Sequence, residues 1–201
     1  MKNAFFVTAS IACGKSTFIE IANSLGFKSI SADSIAHEIL DKYALELAQI
    51  FSKFHKKNLL KAEGKIDRKI LGEIVFQNKE AKTILENFTH PKIRAKILEQ
   101  MQILEQENKP FFVEIPLFFE SGAYDGLGKV ILIYTPKELS LKRIIQRDNL
   151  SLEAAKARLD SQMDIEEKLK KADFIIKNTG SYVDFRQECV KVIQNISKGQ
   201  M

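Results

Sequence analysis

Ala9-Ser10-Ile11-Ala12-Cys13-Gly14-Lys15-Ser16-Thr17 lies between an apolar run, Lys2 to Val7, and a segment in which Phe18, Ile21, Ala22 and Leu25 recur at helical spacing ahead of Gly26. The arrangement predicts a strand, a tight loop and a helix stopped by Gly26. Gly14-Lys15-Ser16 matches the end of the phosphate-loop pattern G-x-x-x-x-G-K-[ST], whereas Ala9 occupies the place of its first glycine. Such a loop works through backbone N–H groups and a helix N-terminus aimed at phosphates, a lysine for the β and γ oxygens, and a hydroxyl for Mg²⁺. Ala12, Cys13, Gly14, Lys15, Ser16 and Thr17 are therefore the expected nucleotide-binding residues, with Ser16 on the metal and Cys13 giving only its amide. Ala9, Ser10 and Ala12 are small enough for close approach, provided none needs a positive φ. A lone Gly-Lys-Ser also occurs in surface turns; the strand before it and the amphipathic helix after it favour phosphate binding.

Outward from the loop, Phe27 to Ile30 reads as a second strand, closely followed by Asp33 at the start of a helical stretch with Ile35, Ile39 and Leu40. From Asp41 to Asn108 the chain is rich in Lys and Glu with helical periodicity (Ile93, Ile97, Met101, Leu104), predicting a helical insertion and a long returning helix that starts at His90-Pro91. Phe111 to Ile115 and Val130 to Tyr134 are apolar runs of the kind buried in parallel sheets, and Phe174 to Ile176 is a shorter candidate. An Arg- and Lys-rich helical segment fills 137–171, and Tyr182, Phe185, Cys189, Ile193 and Ile196 mark a last amphipathic helix. Alternating strands and helices predict an α/β fold, a parallel sheet covered on both faces.

Composition narrows the function. A 201-residue chain with 45% hydrophobic and 28% charged residues suits one globular folding unit, and no apolar run is long enough to span a bilayer. No secretory signal is apparent, so the expected location is the cytoplasm. Cys13 and Cys189 are far apart and lack metal-ligand spacing, so reduced thiols are expected. The net charge of +5 suits a polyanionic ligand, and scattered Lys residues without aromatic-basic motifs argue against nucleic acid as that ligand.

Other groups have two readings each. Asp33 suits a base for an acceptor hydroxyl or a holder of the metal's water shell, and equally a helix N-cap. Glu114, near the end of the third strand, reaches Mg²⁺ through water or is structural. Arg143 and Arg147, four apart on one helical face, and Arg158 either clamp transferring phosphates when a lid closes or form a solvated face with Asp148 or Glu153. His37, His55 and His90 read as capping or packing residues.

Taken together, these residues resemble the dephospho-coenzyme A kinases, which phosphorylate the ribose 3′-hydroxyl of dephospho-CoA with ATP. Ile11 and Gly14-Lys15-Ser16-Thr17 keep the frame of that family's more glycine-rich loop, and Ser31-Ala32-Asp33 is similar to its short acidic motif. His90-Pro91 with Arg94 resembles its H-P-x-I-R segment, and Glu114-Ile115-Pro116-Leu117-Phe118-Phe119-Glu120 its D-x-P-L-L-F-E. Leu141 to Asp148, Ala157-Arg158 and Gln162 look like the lid; Asp173, Asn178 and Gly180 resemble the segment that closes on adenine. The resemblance implies a five-stranded parallel sheet of order 2-3-1-4-5. It implies a core over 1–40, 108–136 and 172–201, a helical acceptor domain over 41–107 and a lid over 137–171. Asp33, Lys15, Arg143 and Arg147 would be catalytic, with Arg143 and Asn178 also on ATP. Asp33, His90, Arg94, Pro116, Leu117, Phe119 and Glu120 would bind the acceptor. Ser16 would bind Mg²⁺, with Asp33 or Glu114 through water. The implied partners are ATP and dephospho-CoA, with no nucleic acid or membrane, for a monomer or weak homo-oligomer. A nucleic-acid-binding ATPase or nucleotide switch is the competing class.

Overall fold

The computed structural model describes residues 1–54 and 58–199, so His55 lies outside the described residues. The chain forms two compact units: Met1–Ser31 with Gln100–Met201, and Ala32–Glu99. The insertion read from sequence as 41–107 thus has a compact counterpart that starts and ends about eight to nine residues earlier.

The sheet unit runs β1 (Ala4–Ala9), α1 (Lys15–Ser24) and β2 (Ser29–Ser31). The helical unit follows as α2 (Ala32–Lys42), α3 (Ala44–Phe51), α4 (Arg68–Gln77) and most of α5 (Lys79–Glu105). The sheet unit resumes with β3 (Phe111–Glu114), α6 (Phe118–Ser121), β4 (Lys129–Tyr134), α7 (Lys137–Asp148), α8 (Leu152–Asp160), α9 (Ile165–Leu169), β5 (Phe174–Lys177) and α10 (Tyr182–Ser197). The five strands are parallel in the order β2-β3-β1-β4-β5. Central β1 pairs Val7 with Glu114 of β3 and Ala9 with Ile133 of β4.

Both faces of β1 are buried, as a covered parallel sheet requires, and successive side chains go to opposite layers. Phe5, Val7 and Ala9 join Phe18, Ile21 and Ala22 of α1 and Phe185, Cys189, Ile193 and Ile196 of α10 in one core. Phe6 faces the other way, its ring 4.9 Å from that of Phe118 and 5.8 Å from that of Tyr124. Phe112 of β3 anchors the first layer, meeting Phe18 edge-on at 5.2 Å and Phe27 at 5.8 Å.

α1 ends as its sequence predicts: Gly26 takes φ +86°, and the N–H groups of Gly26 and Phe27 bond the carbonyls of Asn23 and Ala22. This Schellman closure satisfies the last carbonyls and turns the chain toward β2. Leu25 is exposed because it is the cap residue itself. α10 starts with a capping box, Ser181 and Asp184 each bonding the other's backbone N–H, which holds the Asp184 carboxyl below its usual range.

In the helical unit, Leu47, Phe51, Leu59, Ile66, Leu71 and Ile74 form a separate core. Leu60 and Ile66 make an isolated antiparallel bridge in a stretch expected to be purely helical. The long helix does not begin at His90-Pro91: α5 runs through Pro91 from Lys79. Proline in a helix interior removes one N–H donor and crowds the preceding turn. Close to it Thr89 Oγ1 bonds the Leu85 carbonyl at 2.8 Å and Lys92 Nζ the Phe88 carbonyl at 3.1 Å, two side-chain bonds to the backbone in the turns around the proline.

Phe112→Ala should lower unfolding free energy by about 3–5 kcal/mol, measured by urea denaturation. Burial pushes the Cys189 thiol from its ordinary 9.0 up to about 12. Between those values the unfolded chain sheds the proton and the folded chain keeps it, so this group's contribution to stability falls as pH rises through the window. Native protein at pH 8 should leave Cys189 unlabelled by iodoacetamide, and urea should expose it, as read by peptide mass spectrometry.

Candidate active site

β1 ends at Ala9 and α1 begins at Lys15, so the loop between them lies at the carboxyl end of the central strand, where open α/β sheets gather ligands. Gly14 is the N-cap of α1 at φ +97°, and no side chain caps the helix. By contrast α4, α8, α9 and α10 are capped by Asp67, Ser151, Asp164 and Ser181. The first N–H groups of α1 thus face the loop with the positive end of the helix dipole and no competing carboxylate in the first turn. A helix end of that kind suits an anion held by backbone.

The loop is braced from behind. Asn178 Nδ2 donates to the Cys13 carbonyl at 2.9 Å, and Thr135 Oγ1 lies 3.5 Å from the same oxygen. A Cβ at Gly14 would sit 2.5 Å from Asn178 Nδ2 and 3.2 Å from the Phe185 ring, so glycine is required for space as well as for φ. Ala12 takes φ +62°, the left-handed conformation that the sequence reading needed it to avoid, at a local cost of about 1–2 kcal/mol. The Cys13 thiol is buried, 3.4 Å from Ser140 Oγ. The first half of the loop is tied elsewhere: the Ile11 N–H donates to Gln162 Oε1 at 3.0 Å, and Lys168 Nζ to the Ala9 carbonyl at 3.3 Å.

Lys15 and Ser16 open the helix, and Thr17 follows half-buried. The Lys15 ammonium is ion-paired with Glu114 at the end of β3, and Ser16 Oγ lies 3.4 Å from the same carboxylate oxygen. Hydroxyl and carboxylate oxygens are the donors Mg²⁺ prefers. One hydroxyl and one carboxylate are a donor set that suits a metal carried in largely by phosphates and water.

Arg143 and Arg147, expected on one face, diverge. Arg143 turns inward and donates to the Asn178 carbonyl at 3.2 Å and to Asn178 Oδ1 at 3.3 Å. Arg147 makes two bonds to Asp148, at 2.7 and 3.1 Å, and Arg158 reaches that carboxylate at 2.9 Å. The Arg147 hydrogen bond is the main cause holding the Asp148 carboxyl below its usual range. The packing of α7 decides the difference: Ile144 is buried beside Arg143, whereas the Arg147 turn is the last and exposed.

Pro116 accepts a bond from Thr8 Oγ1 at 3.1 Å, Leu117 is exposed at the cap of α6, and Phe119 packs edge-on against Phe118. Glu120 accepts from the Met163 N–H at 3.0 Å and pairs with Lys168 at 2.8 Å. Asp173 accepts the Val130 N–H at 2.7 Å and so fastens the start of β4. In the helical unit Asp33 is exposed in the first turn of α2, inside the helix rather than at its cap. His90 and Arg94 lie four apart on an exposed face of α5.

Thr135, Ser140 and Lys168 escaped the sequence reading. Lys168 follows the buried Ile165 by three residues, on the inward face of its helix, and that spacing was the available signal.

Gly14→Ala should weaken nucleotide binding at least tenfold while the protein still folds, as measured by titration calorimetry with a non-hydrolysable ATP analogue.

The dephospho-CoA kinase family model matches residues 5–184. A dephospho-CoA kinase of Campylobacter jejuni is 87% identical over 201 residues, covering 100% of both chains. A solved dephospho-CoA kinase from the same species superposes with a TM-score of 0.85 over 100% of both chains, at 87% identity. A solved Thermus thermophilus protein superposes at 0.79 with 31% identity, covering 95% of each chain. The loop, the sheet around it and these likenesses agree, and the chain belongs to the dephospho-CoA kinase family.

Proposed function

We propose that this chain transfers the γ-phosphoryl group of ATP to the ribose 3′-hydroxyl of dephospho-CoA, the last step of coenzyme A biosynthesis. The observation that carries the chemistry is the uncapped N-terminus of α1 with the Lys15 ammonium held beside it on Glu114. Amides from Ala12 to Thr17 hold the donor phosphates. Lys15 exchanges its carboxylate partner for the β and γ oxygens, a charge-assisted contact that strengthens as charge moves toward the bridging oxygen.

Ser16 would hold Mg²⁺ through its hydroxyl, with Glu114 or Asp33 acting through water, and the ion when bound would supply charge neutralisation at the phosphates. Asp33 takes the proton of the acceptor hydroxyl as general base. Arg143 and Arg147 in the lid, 137–171, supply positive charge to the transferring group, and Asn178 fixes the loop and the Arg143 guanidinium together on the ATP side. His90, Arg94, Pro116, Leu117 and Phe119 hold the acceptor. Glu120 is assigned to the acceptor by likeness alone.

The net charge of +5 suits two polyanionic substrates. Among the described residues no helix is long and apolar enough to cross a membrane. The same reading places the enzyme in the cytoplasm, a monomer or weak homo-oligomer without a nucleic-acid partner.

ADP release from Mg·ATP should be stimulated by dephospho-CoA and not by AMP, adenosine, pantetheine phosphate or nucleic acid, with a new 3′-phosphate in the product. Lys15→Ala should lower turnover at least a thousandfold with little change in melting temperature. Near-normal turnover in that variant would refute the assignment.

A further inference from the structure

Lys168 is fully buried, with 0% of its side chain exposed, and it is the only lysine so enclosed among the described residues. Its ammonium has two partners: Glu120 Oε1 at 2.8 Å and the carbonyl of Ala9, the first residue of the phosphate loop, at 3.3 Å. The same Glu120 oxygen accepts the Met163 N–H at 3.0 Å. One residue before Met163, Gln162 accepts the Ile11 N–H at 3.0 Å. A short segment, 162–168, therefore grips the first half of the loop at a carbonyl and an amide, and is itself fastened to α6 through Glu120.

Burying an ammonium is a poor way to gain stability, since its desolvation cancels most of the attraction to a carboxylate and an apolar residue of like volume does as well. What the pair supplies is direction. The first half of this loop carries Ala9, Ser10 and Ala12 in place of the glycines that would let backbone settle around phosphates by itself, and Ala12 is held in a left-handed conformation. A backbone with such side chains needs outside restraints to keep its amides aimed.

We infer that Lys168 and Glu120 are a positioning pair that fixes the first half of the phosphate loop for the donor nucleotide, and that the Glu120 carboxylate serves Lys168 rather than the acceptor. The inference rests on the reading that this loop binds ATP and deepens it: the residues that aim the loop come from α6 and α9.

Steady-state kinetics of the full-length enzyme decide it, with Mg·ATP and dephospho-CoA varied separately for wild type, Glu120→Gln, Lys168→Met and the double variant. Glu120→Gln and Lys168→Met should each raise KM for ATP about tenfold and leave KM for dephospho-CoA within twofold. The double variant should be no worse than Lys168→Met alone, as befits two members of one unit. Should Lys168→Met fail to fold, Glu120→Gln, which keeps size and the acceptor for Met163, carries the test. A rise in KM for dephospho-CoA with KM for ATP unchanged would overturn the inference and return Glu120 to the acceptor; additive losses in the double variant, or unchanged constants in Glu120→Gln, would overturn it too. Wild type without turnover on dephospho-CoA would instead refute the proposed function, so the two failures are distinguishable.

Discussion

The Cys13 carbonyl faces the protein interior, and much of the sheet unit is arranged so that it is not left unpaired there. A phosphate loop turns its amides toward the ligand and so turns carbonyls toward the protein, where an unpaired acceptor is costly. Asn178 and Thr135 meet this demand, each just beyond the end of its strand, β5 and β4. Strand order β1-β4-β5 places both residues on the correct side of the loop. The close approach of Asn178 excludes a side chain at Gly14, and Arg143 is drawn to the same asparagine. One carbonyl thus links sheet topology, the glycine and the inward arginine of α7.

Two lysine–carboxylate pairs flank this arrangement, and their acids come from one short stretch. Glu114 ends β3 and meets Lys15; Glu120, in α6, meets Lys168. The Lys15 pair stands at the first turn of α1, where the proposed mechanism has the lysine exchange its carboxylate for phosphate. In the Lys168 pair the ammonium is sealed away, whereas the Glu120 side chain keeps 21% of its surface exposed. The lysines differ in access, 14% of the Lys15 side chain and none of the Lys168 side chain being exposed, while the carboxylates run the other way, Glu114 at 9% and Glu120 at 21%.

Much of this was legible from residue order. The strands are apolar runs because a covered parallel sheet buries both faces, and α10 showed its inward stripe at Phe185, Cys189, Ile193 and Ile196. Gly14-Lys15-Ser16 located the loop. Sequence failed where long-range contacts override local preference. Pro91 marked a helix start by propensity, yet the helix runs through it. Ala12 has no local reason to take a positive φ. Arg143 and Arg147 share a helical face, but only one has Asn178 within reach. Lys168 drew no notice in a lysine-rich run because burial depends on what packs over it.

The order of the strands also bears on how the chain is made. β1 is the first strand to leave the ribosome and the central one of the sheet, yet its partners begin about a hundred residues later, at Phe111 and Lys129. For most of synthesis Ala4 to Ala9 has no strand beside it but β2 to wait with, and β2 pairs with β3 alone. The helical unit, continuous in sequence from Ala32 to Glu99, is complete before any of the sheet can close. An apolar strand left unpaired for that interval is a site for aggregation, so this strand order carries a hazard during synthesis that the finished sheet conceals.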